Sequence, residues 1–139
     1  VWDQRLADVS KHLASTCLAQ HSHPSYRWSK AGFRQIGESL WWRYEHHMRR
    51  NVRWFVQDLY NEKPFYNFDT DYCRPREMCG HYKQMVEQLA QKEFWYTMQV
   101  VWANSCAIGC AAAYCRHMFD SLKNAWYTGH LVVCHYGPA

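Results

Sequence analysis

The sequence predicts an α+β domain, with helices first and strands towards the end. Three observations predict it. Apolar residues recur at three- and four-residue steps near the N-terminus and again in the middle of the chain. The last third carries short β-branched and aromatic runs bounded by Gly, Asn or Ser. And 139 residues leave room for a single core.

Leu6, Val9, Leu13 and Cys17 lie on one stripe and predict an amphipathic helix over roughly 4–19. His23-Pro24-Ser25 ends it and opens a polar, aromatic loop from Tyr26 to Gln35. Ile36-Gly37-Glu38-Ser39-Leu40 reads as a turn into a short ordered segment. A second helix is predicted over roughly 45–61, with Val52, Phe55, Val56, Leu59 and Tyr60 on one face and Pro64 as its stop. Asp69–Met78 reads as a loop bracketed by Cys73 and Cys79. Between Tyr82 and Thr97 the residues Met85, Val86, Leu89, Ala90 and Phe94 return to helical spacing. Strands are predicted at Thr97–Trp102, Ile108–Tyr114 and Leu131–Tyr136.

Composition narrows the function classes. Hydrophobic residues make up 48% and charged residues 20%, which excludes a disordered charged tail. The mean hydropathy is −0.58, and no run approaches the ~20 apolar residues that span a bilayer. A scattered net charge of +4 argues against a nucleic-acid footprint. The cysteines stand at 17, 73, 79, 106, 110, 115 and 134. Seven is an odd count, so at least one thiol is unpaired or paired between chains. No two CxxC pairs occur, which argues against a zinc ribbon and for a disulfide-stapled, extracellular protein. Val1–Lys11 carries Asp3, Arg5 and Asp8 and lacks the apolar stretch of a signal peptide, so a secretory leader is expected to lie outside this chain.

Several motifs occur together. Val1-Trp2-Asp3 with Leu6-Ala7 leads to Cys17 four residues before His21-Ser22, followed by Gly37-Glu38-Ser39-Leu40. Cys79-Gly80-His81-Tyr82, Gln99-Val100-Val101-Trp102, Ile108-Gly109-Cys110-Ala111 and Val132-Val133-Cys134-His135-Tyr136 follow in order. This set resembles the CAP superfamily of cysteine-rich secretory proteins, antigens and pathogenesis-related proteins, through its GEN-L, CGHY, QVVW, IGCA and VCNY motifs. Within it, the chain looks most like the glioma-pathogenesis-related and cysteine-rich secretory branches. The resemblance implies a three-layer α–β–α sandwich with bridges Cys17–Cys115, Cys110–Cys134 and Cys73–Cys79, leaving Cys106 as a free thiol. It also implies a single domain over 1–139 that begins after the family's usual first helix and stops before its final strand. Two departures stand out: Ser39 replaces the Asn of GEN, and sixteen residues separate Tyr82 from Gln99 where the family has one. An insertion around 83–97 is therefore expected.

The family's central cleft holds two histidines and two carboxylates, which the resemblance places at His21, His81, Glu38 and Glu62, the last from Glu62-Lys63-Pro64-Phe65-Tyr66-Asn67-Phe68. Neutral imidazoles ligate zinc, and carboxylates orient them, so His21 and His81 are the candidate ligands for an optional Zn2+. The alternative is a hydrogen-bonded polar cleft without metal. The chain lacks a clear catalytic nucleophile. Ser22 reads as a turn hydroxyl rather than a partner of the adjacent His21, because i,i+1 side chains do not face each other productively. Cys106 reads as a small buried hydrophobe, or a reactive thiol if exposed with a lowered pKa. His46-His47-Met48-Arg49-Arg50 with Trp41-Trp42 reads as a solvated basic helix face with two core tryptophans, or as a peripheral contact with an anionic membrane surface or a sterol mouth. The predicted function is a secreted binding module for sterol, lipid or an extracellular protein surface. The alternatives are a metal-dependent hydrolase using the same cleft, and an inactive splice form or fragment.

Overall fold

Asp3 starts the first helix by turning its carboxylate back onto the backbone, accepting from Arg5 N at 2.8 Å and Leu6 N at 3.4 Å. The Arg5 side chain donates to the same carboxylate and holds its pKa down at about 2. In this computed structural model, residues 1–46, 48, 51–67, 69–77, 79 and 105–139 are described. Helix α1 runs Gln4–Ala14, ending before the predicted ~19. The Ser15 and Thr16 hydroxyls donate to the Lys11 and Leu13 carbonyls, Cys17 takes φ 56°, and the chain turns into strand β1, Leu18–Ala19.

The predicted Tyr26–Gln35 loop is ordered. A 3-10 turn, Pro24–Arg27, leads into a small hairpin of β2 (Trp28–Lys30) and β3 (Phe33–Gln35). Gly32 makes its turn at φ 81°, where an added Cβ would lie 2.8 Å from an Arg5 guanidinium nitrogen. The predicted turn at 36–40 is mostly strand instead: β4 spans Gly37–Arg43, with five consecutive buried residues. Such a run is what a strand covered on both faces looks like, and it lacks the alternation that would have marked it. Helix α2 covers Val52–Tyr60, seven residues short of the predicted start at 45, and of the basic cluster His47, Arg49 and Arg50 lie outside the described residues. A second 3-10 turn, Lys63–Phe65, carries Pro64. Two-residue strands β5 (Tyr66–Asn67) and β6 (Tyr72–Cys73) pair beside the Cys73–Cys79 disulfide, β6 falling within the stretch 69–78 predicted as a loop.

The longest elements are β7 (Ala107–Asp120) and β8 (Ala125–Gly137), an antiparallel hairpin irregular only between Cys115 and Met118. They contain the predicted 108–114 and 131–136 strands and extend well beyond them. The main sheet has the order β1-β7-β8-β4, so strands come from both halves of the chain rather than from its end alone. Alternation along β8 divides the core. Leu131 and Val133 pack with Leu40, Met118 and Ala14 on the α1 side. Val132, Cys134 and Tyr136 pack with Trp41 and Phe55 on the α2 side. The result is a sheet between two helical layers. Gly109 lets α1 lie directly on β7, since a Cβ there would sit 2.1 Å from Ala7 N.

Disulfides join Cys17 to Cys115, Cys73 to Cys79 and Cys110 to Cys134. Cys106 is free and exposed, not buried as a small hydrophobe. Trp41 is in the core, whereas Trp42 is half-buried and donates through Nε1 to Asp120 at the hairpin tip. The helical texture between Tyr82 and Thr97, the 83–97 insertion and the Thr97–Trp102 strand lie outside the described residues.

Candidate functional site

Strand β4 carries Glu38 into the α1 side of the sheet, directly opposite His135 in the β4–β8 register. Glu38 is fully buried. A carboxylate there is strongly disfavoured unless its oxygens are filled by donors, and they are. His21 Nδ1 donates to Oε1 at 2.9 Å and Ser22 N to the same oxygen at 2.8 Å. The Ser22 hydroxyl donates to Oε2 at 2.5 Å, and His135 Nε2 lies 3.2 Å from it. Four donors match the four lone-pair positions of a carboxylate. Burial would raise the Glu38 pKa, but the hydrogen bonds from His135, His21 and Ser22 outweigh it and hold the carboxyl far below the usual range.

The segment after α1 presents His21 to this carboxylate. Cys17 is bonded to Cys115, and β1 pairs in parallel with Phe119–Asp120, which brings the chain to the sheet edge two residues before His21. Because Nδ1 donates inwards, the other ring nitrogen, Nε2, is the one left for outside partners, and the His21 side chain is 47% exposed. Carboxylates orient ligating imidazoles in this way. Tyr26 flanks the site. Burial raises its hydroxyl pKa, and the Glu38 charge adds to that. Its ring lies near that of His12, with the Lys30 ammonium 4.8 Å above it.

Of the four predicted cleft residues, the described contacts join His21 and Glu38. Glu62 is buried at the turn between α2 and the Lys63–Phe65 turn, where its carbonyl accepts from Phe65 N at 3.0 Å. His81 lies outside the described residues. Ser22 is more than a turn hydroxyl, since both its backbone and its side chain bind Glu38. His135 was not singled out by sequence, yet it is fully buried against Glu38 and its Nδ1 lies 2.8 Å from Ser10 Oγ. Period-two alternation was the signal available, because it puts His135 on one face with Val133 and Leu131.

A zinc ion needs about four nitrogen, sulfur or oxygen ligands. Here Glu38 is filled by protein donors and does not fit as a ligand, while His21 fits as one. Among the described residues no group of three or more His, Cys, Asp or Glu is arranged to hold a metal ion.

The match to the cysteine-rich secretory protein family model runs over residues 1–136. The chain belongs to this CAP family. Among CAP proteins, it is 32% identical to human GLIPR1-like protein 1 over all of this chain and 48% of that protein. It is 31% identical to mouse peptidase inhibitor 16 over 99% of this chain and 22% of that protein. Pathogenesis-related protein 1C of Nicotiana tabacum is 28% identical over 99% of this chain and 62% of its own length. This CAP chain thus spans about half the length, or less, of the first two relatives. In fold it is similar to the Schistosoma mansoni venom allergen-like protein 4, with a TM-score of 0.60 and 21% identity over 99% of this chain and 66% of that one. A crystal structure of NaASP2 with Zn2+ is similar over all of this chain and 60% of that one, with a TM-score of 0.52 and 18% identity.

Proposed function

We propose that this CAP domain is a secreted binding module, recognising a sterol, another lipid or an extracellular protein surface, and that it acts without turnover. One observation carries the second half of this reading: all four acceptor positions of Glu38 are filled by His21, Ser22 and His135. A general base needs a free lone pair within reach of the proton it takes, and Glu38 has none to offer. The carboxylate that accepts from the Ser22 hydroxyl is held far below its usual range and is too weak a base to take that proton, which argues against a nucleophilic serine. The carboxylate instead holds His21 in one tautomer with Nε2 outward, a group suited to a divalent cation or a ligand donor. Three disulfides fit a protein made for an oxidising compartment.

The test compares wild-type protein with His21→Ala, Glu62→Ala and His81→Ala. Binding of a fluorescent sterol and of zinc is measured by titration, and hydrolysis of ester and peptide substrates is assayed with and without zinc. Sterol binding that survives all three changes, with no turnover, supports the reading. Zinc-dependent hydrolysis lost in His21→Ala overturns it in favour of a metal-dependent hydrolase.

A further inference from the structure

Arg27 ends the 3-10 turn six residues after His21 and is only 4% exposed. Its carbonyl accepts from Ile36 N at 2.9 Å. Its guanidinium makes no hydrogen bond, ion pair or cation–π contact among the described residues, and none of its nitrogens is sealed from solvent. A nine-tenths buried arginine in a protein is ordinarily paired, because an unpaired charge in a low-dielectric setting is strongly disfavoured. Here the side chain is more than nine-tenths buried, with its five donors unspent and its nitrogens still in reach of solvent.

Among the described residues no acidic side chain pairs with Arg27, and the chain around it is basic. Between Asp8 and Glu38 the chain has no Asp or Glu, but it has Lys11, Arg27, Lys30 and Arg34. Glu38 itself is filled by other donors, and Asp3 is occupied by Arg5. Lys30 lies over the Tyr26 ring and Arg34 over the Trp28 ring at 5.8 Å, which puts a cation on each of the two rings that flank Arg27 in sequence.

We propose that Arg27 anchors a subsite for a tetrahedral oxyanion, a phosphate or sulfate group bound by its planar fork, with Lys30 and Arg34 adding to the local positive potential. The fork geometry of guanidinium matches two oxygens of such a group. The group comes either from a free anion or from a lipid head group, and both present the same oxygens.

The test titrates the purified chain with inorganic phosphate at constant ionic strength held by chloride, following the thermal midpoint and the Arg27 Nε–H resonance. A second arm measures sedimentation with phosphatidylcholine vesicles, with and without one-third phosphatidic acid. Phosphate should raise the midpoint saturably and shift the Arg27 resonance, and Arg27→Met should weaken binding by about tenfold or more. If Arg27→Met does not fold, Arg27→Lys keeps the charge but not the fork, and should bind about threefold or more weakly. Sedimentation with phosphatidic acid that phosphate competes away assigns the head group. Phosphate binding without sedimentation assigns the free anion. A phosphate response no different from chloride, or wild-type affinity in a folded Arg27→Met or Arg27→Lys, overturns the proposal.

Discussion

His135 and Ser10 meet between the sheet and α1, with Nδ1 2.8 Å from Oγ, on the opposite side of the imidazole from Glu38. Ser10 also donates to the Gly109 carbonyl at 2.8 Å. A continuous polar path therefore runs from helix α1 through His135 and Glu38 to the exposed His21. Each member holds the next in place, so removing one leaves a buried neighbour without a partner.

His135→Leu keeps volume but strips one donor from Glu38 and the ring partner from Ser10. It should destabilise the fold by about 1–3 kcal/mol. Urea unfolding checks this, and an unchanged midpoint would show that the ring contributes packing alone.

Glu38 makes stability depend on pH. Its folded pKa lies below the ordinary 4.5, so its contribution is complete above the unfolded value and is lost as pH falls through and below it. Wild-type stability should therefore drop steeply below about pH 4.5. Glu38→Gln should cost about 3 kcal/mol at pH 7 and show a shallower acid slope. Unfolding at a series of pH values compares the two slopes.

The bridges should differ in worth. Cys17–Cys115 spans 98 residues and Cys73–Cys79 spans 6. Chain entropy makes the longer loop the stronger constraint, so replacing Cys17 and Cys115 by Ser should cost about 4–5 kcal/mol, and replacing Cys73 and Cys79 about half that. Denaturant midpoints of the two double variants give the order.

Gly109→Ala should fail to dock α1. The new Cβ would meet backbone rather than a side chain, at 2.1 Å from Ala7 N and 2.6 Å from Asp3 O, so no rotamer change relieves it. A loss of about 3 kcal/mol or more is expected, read from the thermal midpoint together with hydrogen exchange of α1 amides.

What was legible from sequence follows physical lines. The β7–β8 strands showed themselves by β-branched and aromatic runs, and α1 by its apolar stripe. β4 was hidden because both its faces are covered, so Glu38, Ser39 and Leu40 show no alternation to read. The end of α1 was missed because local hydroxyl bonds from Ser15 and Thr16 compete with the helix, an effect an apolar stripe cannot report. His21 and Glu38 were reachable only through family motifs, since seventeen positions separate them and only folding brings them together. His135 and Arg27 became meaningful through burial alone. Period-two alternation puts His135 on a face with Val133 and Leu131 but does not mark the imidazole as enclosed, and Arg27 belongs to no spacing pattern.

The bond between Cys17 and Cys115 has a consequence for His21. Only three residues, Leu18, Ala19 and Gln20, connect that anchor to His21, two of them pinned along β7, so the ring is on a very short leash. Glu38 and His135 owe their positions to the sheet instead. A reducing environment would thus act on the two halves of the site unequally: the exposed ring would gain slack while the buried carboxylate kept its place.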